Sequence, residues 1–194
     1  MTVRKVAWWS LAARPWKNGG GTTREIAVGP AGAGLETFDW RVSLADVDQP
    51  GPFSVFPGVD RLLVLTHGRG LILRGAHGAR TLELPGDLAA FSGDDALVGF
   101  LDDGPTRDFN LFWRRDWGKG TVRVVRVADE ILLLPGTHIL HAPGTARVIL
   151  RSGTQTESLG PGDSLTLQTD ESAEITVAPG PGTFVVVASL EAHR

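Results

Sequence analysis

Leu84-Pro85-Gly86-Asp87-Leu88 is echoed by Gly160-Pro161-Gly162-Asp163-Ser164-Leu165, with Gly86 and Gly162 standing 76 positions apart. Pro presets φ for a tight turn, Gly permits the geometry that follows, and Asp caps the turn with its own side chain. Apolar residues follow each triplet, so each reads as a turn entering a strand. Outward from these points, short runs rich in Val, Leu, Ile, Thr, Phe and Trp recur between Gly, Pro, Asp and Asn, the punctuation of antiparallel strands. In the first half they are Val6–Leu11, Thr22–Val28, Phe38–Val47, Arg61–Thr66, Gly70–Arg74, Leu88–Phe91, Leu97–Leu101 and Asp108–Arg114. In the second they are Val122–Val127, Ile131–Leu134, Ala146–Arg151, Ser164–Gln168, Ile175–Val177 and Phe184–Ala188. Nowhere does an apolar 3.6-residue period persist long enough for a helix of more than a turn. So many strand edges are hidden only by closing or stacking sheets, and the repeated turn points to an all-β chain of two jelly rolls. The alternative is that two such turns arose by chance in a Gly- and Pro-rich chain.

The composition allows this. The chain has 194 residues, 42% hydrophobic and 21% charged, enough for one large or two small domains with cores of their own. A net charge of −3 with acids and bases interspersed offers no basic face to a nucleic-acid backbone. The longest apolar runs, such as Leu132–Leu134 and Phe184–Ala188, fall far short of the roughly twenty residues that span a bilayer. No apolar signal region is visible at the N-terminus, and a cytoplasmic location is expected. Cysteine is absent, which excludes disulfides, thiolate metal sites and cysteine nucleophiles.

The densest group of unusual residues is Pro15-Trp16-Lys17-Asn18-Gly19-Gly20-Gly21-Thr22-Thr23-Arg24-Glu25-Ile26. Its glycines let backbone N–H groups approach a ligand, while Lys17, Asn18, Thr23 and Arg24 supply donors for a carboxylate or amide. It is not a phosphate loop, because no Lys-Ser or Lys-Thr pair follows the glycines and a strand follows instead of a helix. A flexible loop before a strand is the plain alternative. In Phe38–Asp46, alternation puts Trp40, Val42 and Leu44 on one face and Arg41, Ser43 and Ala45 on the other. Such a polar face either meets solvent or lines the inside of a small barrel, where a buried Arg must meet an acidic partner or ligand. Gly51–Gly58, followed by Asp60 and Arg61, is an aromatic-bearing loop. It reads either as a lid over a barrel mouth or as an Ω-type loop anchored by Phe53 and Phe56. In Asp108–Arg115 the residues Asp108, Asn110 and Phe112 share a face, so Asn110 is a candidate inward polar group.

Metal and hydrolytic chemistry have no support in the sequence. His138 and His141 are the one close histidine pair, but three positions apart on a strand they point to opposite faces, and no carboxylate completes a shell. A Gly-X-Ser-X-Gly elbow is missing as well.

WKNGGGTTREIA (residues 16–27), FDWRVSLADV (38–47), GPFSVFPGVDR (51–61) and DFNLFWRR (108–115), in that order, resemble the HutD/Ves family of bacterial bicupins. The resemblance covers residues 8–115 and extends to the remainder only as a second jelly roll. It implies two tandem cupin-like jelly-roll barrels, residues 1–118 carrying the motifs and residues 119–194 forming the second. It also implies no known catalytic activity, no cofactor and, for the HutD branch, a link to histidine utilisation through an intermediate such as N-formylglutamate or urocanate. The Ves branch, described by stress response, shares nearly all of these motifs. The family's hallmark positions fall on Trp16, Lys17, Asn18, Gly21, Thr23, Arg24, Glu25, Trp40, Arg41, Ser43, Phe53, Ser54, Arg61, Asp108, Asn110 and Arg114.

The expected function is therefore a non-enzymatic regulator that binds a small carboxylate in the N-terminal barrel, with no nucleic-acid or membrane partner. Arg41 and Lys17 pair the carboxylate, and Asn18, Thr23, Ser43 and Asn110 set orientation. Phe53 covers the opening, Glu25 steadies Arg41 or Arg24, and Trp16, Trp40, Ser54 and Arg61 complete the site. One rival is a metal-independent enzyme acting on an acyl-amino acid, with Glu25 as general base. Another treats the motifs as a homodimer interface.

Overall fold

The computed structural model describes residues 1–150 and 156–193. In chain order its strands are β1 (Thr2–Val6), β2 (Ala13–Pro15), β3 (Gly21–Gly29), β4 (Trp40–Val47), β5 (Gly51–Pro52), β6 (Val59–His67), β7 (Leu71–Gly75), β8 (Gly78–Leu82), β9 (Leu88–Ser92), β10 (Val98–Leu101) and β11 (Thr106–Arg114). The remainder are β12 (Gly118–Val125), β13 (Asp129–Leu133), β14 (Gly136–His141), β15 (Ala146–Leu150), β16 (Thr156–Leu159), β17 (Ser164–Thr169), β18 (Ala173–Pro179) and β19 (Val185–Ala192). A 3-10 turn spans Trp8–Ser10. Arg151, the expected end of one strand, lies outside the described residues. No helix among the described residues is long and apolar enough to cross a membrane.

One unit comprises Ala12–Gly118. It has a six-stranded sheet ordered β2-β3-β4-β11-β6-β9 and a four-stranded sheet ordered β5-β10-β7-β8. Leu63 and Leu65 of the larger sheet pack with Leu71, Leu73, Leu82 and Leu97 to fill one end with hydrocarbon. A second apolar cluster gathers Phe38, Val59 and Phe112, with Phe56 against it.

The other unit comprises Lys119–Arg194 together with Met1–Leu11. Its sheets are ordered β1-β17-β14-β19-β12 and β13-β18-β15-β16. Leu140, Leu165, Leu167, Val185 and Val187 of the first face Ile131, Leu133, Val148, Ile175 and Val177 of the second in one apolar core.

The first eleven residues therefore depart from the sequence expectation. The strand there is Thr2–Val6 and not Val6–Leu11, and it belongs with the second unit because β1 pairs along its length with β17. The repeated turn holds it: the Asp163 carboxylate accepts from the Trp8 N–H at 3.0 Å and pairs with Lys5 at 3.0 Å. Both Pro-Gly-Asp turns work as their chemistry requires. Gly86 and Gly162 adopt φ of 95° and 85°, and Asp87 and Asp163 accept backbone N–H groups from Leu84 and Gly160.

Candidate functional site

Strand β11 is the spine of the site. On its inward face Phe112 stands opposite Arg41 of β4 and Arg61 of β6, Asn110 opposite Ser43 and Leu63, and Asp108 opposite Ala45 and Leu65. Strand β3 adds Glu25 beside Ser43 and Thr23 beside Ala45, and β9 adds Phe91 beside Arg61. A register shift between Glu25 and Ala27 lets Glu25 share the inward face and then brings Val28 into line with Arg41. The polar face that the Arg41, Ser43, Ala45 alternation forecast thus lines the interior, and its burial is nearly complete.

Both guanidiniums are drawn in, with Arg41 8% and Arg61 6% exposed. Arg41 donates from Nε to Glu25 Oε2 at 2.9 Å, and its guanidinium carbon lies 5.7 Å from the Phe112 ring centre. Arg61 lies deeper, 4.4 Å from the centre of Phe112 and 4.7 Å from that of Phe91, with Phe53 and Phe56 at 5.6 and 5.7 Å. Its terminal nitrogens donate to the Ser54 carbonyl and to Asn110 Oδ1, both at 3.3 Å, and its Nε is buried without a partner. No ion pair among the described residues joins Arg61 to a carboxylate. Burial, reinforced by the charge of Arg41 and opposed by Asp108, lowers its pKa from 12.5 to about 9.

Asp108 is buried completely and neither of its carboxyl oxygens has a hydrogen-bond partner. Burial pushes this carboxyl well above the usual carboxylate range, with Arg61 opposing and Asp46 reinforcing the shift. The wall therefore offers two guanidiniums, an amide and a hydroxyl against one charge-paired carboxylate, Glu25. That excess of positive donors among aromatic faces suits a small flat anion.

Most of the residues singled out from the sequence converge on this wall. Arg41, Ser43, Arg61, Asn110, Glu25 and Thr23 line it. Trp16 donates from its indole to the Thr23 hydroxyl at 2.7 Å and packs edge-on against Phe53. Phe53 is anchored by its N–H to the Leu97 carbonyl and turns its ring toward Arg61, so the loop is fastened to the core. Four expectations are corrected. Lys17 and Asn18 are exposed, and the Asn18 side chain accepts from Gly20 N–H to shape its own turn. Ser54 is exposed and contributes its carbonyl instead of its hydroxyl. Trp40 belongs to the opposite face of β4 by simple alternation, its ring covering Gly29 where any Cβ would collide. Asp108, Phe56, Phe91 and Phe112 are wall residues that the sequence reading left out of the site.

The HutD family model matches residues 9–184. The chain belongs to the HutD family. A relative from Pseudomonas putida, described as an uncharacterized 21.2 kDa protein in the hutC 3′ region, is 37% identical over 147 residues, covering 72% of this chain and 76% of the relative. The solved structure of HutD from Pseudomonas fluorescens SBW25 is 29% identical, with a TM-score of 0.86 over the whole of both chains. The protein YlbA from E. coli is 8% identical with a TM-score of 0.71, covering 97% of this chain and 90% of that one, a likeness of cupin fold alone.

Many cupins hold a divalent ion on inward histidines and a glutamate, but this HutD-family wall does not fit one. Two buried guanidiniums on it repel a cation, its Glu25 is already paired with Arg41, and no histidine stands among its inward residues. In the other unit His138 hydrogen-bonds to the Ser189 hydroxyl and the Leu134 carbonyl, both at 2.8 Å, and burial lowers its pKa. On the outer face of the HutD-family sheet, a separate open concavity of about 380 Å³ is lined by Thr22, Asp46, Asp48, His67, Pro105, Thr106 and Arg107. Its Asp46 is already paired with both Arg24 and Arg107.

Proposed function

We propose that the N-terminal barrel binds a small carboxylate metabolite without transforming it, as a regulator in histidine utilisation. The observation that carries this reading is Arg61, a cation held in an aromatic enclosure with no carboxylate partner among the described residues. A buried charge without a counter-ion is costly, and an incoming carboxylate relieves it. Arg41 stands in the same row across Phe112 and adds a second positive end. Family membership and the hutC-region relative support the pathway, which makes N-formylglutamate and urocanate the acids to try first. Glu25 is committed to Arg41, which favours binding over general-base catalysis. Titration calorimetry with N-formylglutamate, urocanate and histidine, followed by NMR of the recovered ligand, tests the reading. Saturable binding of one acid that is recovered unchanged is expected. Turnover, or no binding by any of them, counts against it.

A further inference from the structure

Asp108 is the one inward acid of this wall that no neighbour satisfies. An ionised carboxylate in a protein interior is normally surrounded by hydrogen-bond donors or paired with a cation. Strand β11 instead sets Asp108 between Ala45 of β4 and Leu65 of β6, neither of which has a side-chain donor. Asn110, two residues along, gives its amide N–H₂ to the backbone carbonyl of Asp108 at 3.4 Å and its oxygen to Arg61, so it too leaves the carboxyl alone. The charged groups bearing on Asp108 from adjoining strands are Arg61 of β6 and Asp46 of β4. Asp46 is itself held by Arg24 and Arg107, and Arg41 and Glu25 pair with each other further along the wall. Burial favours the uncharged acid, which changes Asp108 from a pure acceptor into a group with one O–H to donate. The neighbouring Arg61 keeps one N–H unspent as well, on Nε. Arg61 stands two register rows along the wall from Asp108, with Asn110 between them, so the wall holds two separate unspent donors.

We propose that Asp108 is a specificity-determining residue: as a neutral acid it donates its O–H to an acceptor oxygen of the bound metabolite's acid group, on the same wall as Arg61. The inference rests on the carboxylate-binding function proposed above and adds the requirement that the site carry a proton when it is filled. Ionised Asp108 repels the ligand it otherwise grips, so affinity falls about tenfold for each pH unit above the pH at which Asp108 ionises. A ligand that presents an ammonium group in place of an acid finds no acceptor for the Asp108 O–H and meets the positive charge of Arg61 on the same wall. The site therefore selects acids over amines of the same shape.

The test uses the full chain, N-formylglutamate and urocanate as probes, and calorimetric titrations from mildly acidic to alkaline pH on wild type, Asp108→Asn and Asp108→Ala. Asn keeps a donor and cannot ionise. Wild-type affinity is expected to decline with rising pH, Asp108→Asn to keep only the loss that follows deprotonation of Arg61 at its pKa of about 9 and to bind within about threefold of wild type at acidic pH, and Asp108→Ala to bind at least tenfold more weakly at acidic pH. Identical pH profiles for wild type and Asp108→Asn, or undiminished binding by Asp108→Ala, overturn the role of Asp108 while leaving the carboxylate site standing. A ligand-free readout separates the two claims further. The infrared difference spectrum of wild type minus Asp108→Asn at neutral pH is expected to contain the carbonyl stretch of a protonated carboxylic acid. Carboxylate bands in its place overturn the proposal whatever the titrations give. If no acid binds wild type at any pH, the site itself is wrong, and the role of Asp108 falls with it.

Discussion

Replacing Arg61 by Met should make the ligand-free protein more stable and abolish its binding. Lowering the pKa of Arg61 from 12.5 to about 9 corresponds to roughly 5 kcal/mol of penalty for keeping the charge in the folded state at neutral pH. Because the unfolded chain holds that proton more tightly, the penalty is present in full below a pH of about 9 and lifts as the pH rises beyond it. Against it stand the close rings of Phe112 and Phe91, worth about 2 kcal/mol together, and two hydrogen bonds at 3.3 Å worth about 1 to 2 kcal/mol. Met fills much of the same volume with polarisable apolar surface that suits the four rings. The difference favours Arg61→Met by about 1 to 2 kcal/mol, or a rise in Tm of roughly 2 to 8 °C for a chain of this size. Differential scanning calorimetry without ligand, paired with titration against the best-binding acid, measures both effects. A drop in Tm with unchanged binding would refute the reasoning, because Arg61 would then be a structural strut and not a group kept for a ligand.

Arg41→Met is expected to weaken carboxylate binding at least tenfold while moving Tm by only a few degrees, since its partner Glu25 retains access to solvent; calorimetry and a thermal melt check the two halves. Burial of Asp46 opposes its ionisation, but Arg107 and Arg24 outweigh it and hold the carboxyl below the usual range. The stability it contributes is present above the unfolded pKa and lost as pH falls through the folded one, so Asp46→Asn should lower Tm at pH 7 and show little deficit at strongly acidic pH. Gly21→Ala drives a methyl into the Asp46 backbone carbonyl and should cost about 2 kcal/mol or more in urea unfolding. Gly19→Ala meets open space and pays only for its φ of 70°, about 1 kcal/mol; equal losses would contradict this.

The fold was legible where the residues have one conformational use. The Pro-Gly-Asp turns and the apolar runs located most strands to within a few residues, because glycine at positive φ and β-branched residues tolerate few alternatives. Strand β14 was missed because Thr137, His138 and His141 interrupt its apolar run, although both histidines find hydroxyl partners on adjoining strands. Strands β8 and β16 are short and polar, and pairing with β7 and β15 is what makes them strands. In the site, alternation along Trp40–Val47 correctly separated Arg41 and Ser43 from Val42 and Leu44. The same rule excludes Trp40, which a motif match had carried into the site. Proximity in sequence misled for Lys17 and Asn18, which sit in an exposed turn although Thr23 and Glu25 nearby point inward. The four phenylalanines around Arg61 come from β9, β11 and one loop, a convergence that only the register of the sheet reveals.

The central claim concerns two arginine side chains, and NMR of the protein labelled with ¹⁵N at arginine observes them directly. The Nε–H resonances of Arg41 and Arg61, assigned by their loss in Arg41→Met and Arg61→Met, are followed while N-formylglutamate or urocanate is added. Saturable movement of both, with the larger change at the unpartnered Nε–H of Arg61, is the predicted result. An acid that binds while both resonances stay fixed would place the ligand elsewhere and contradict the account.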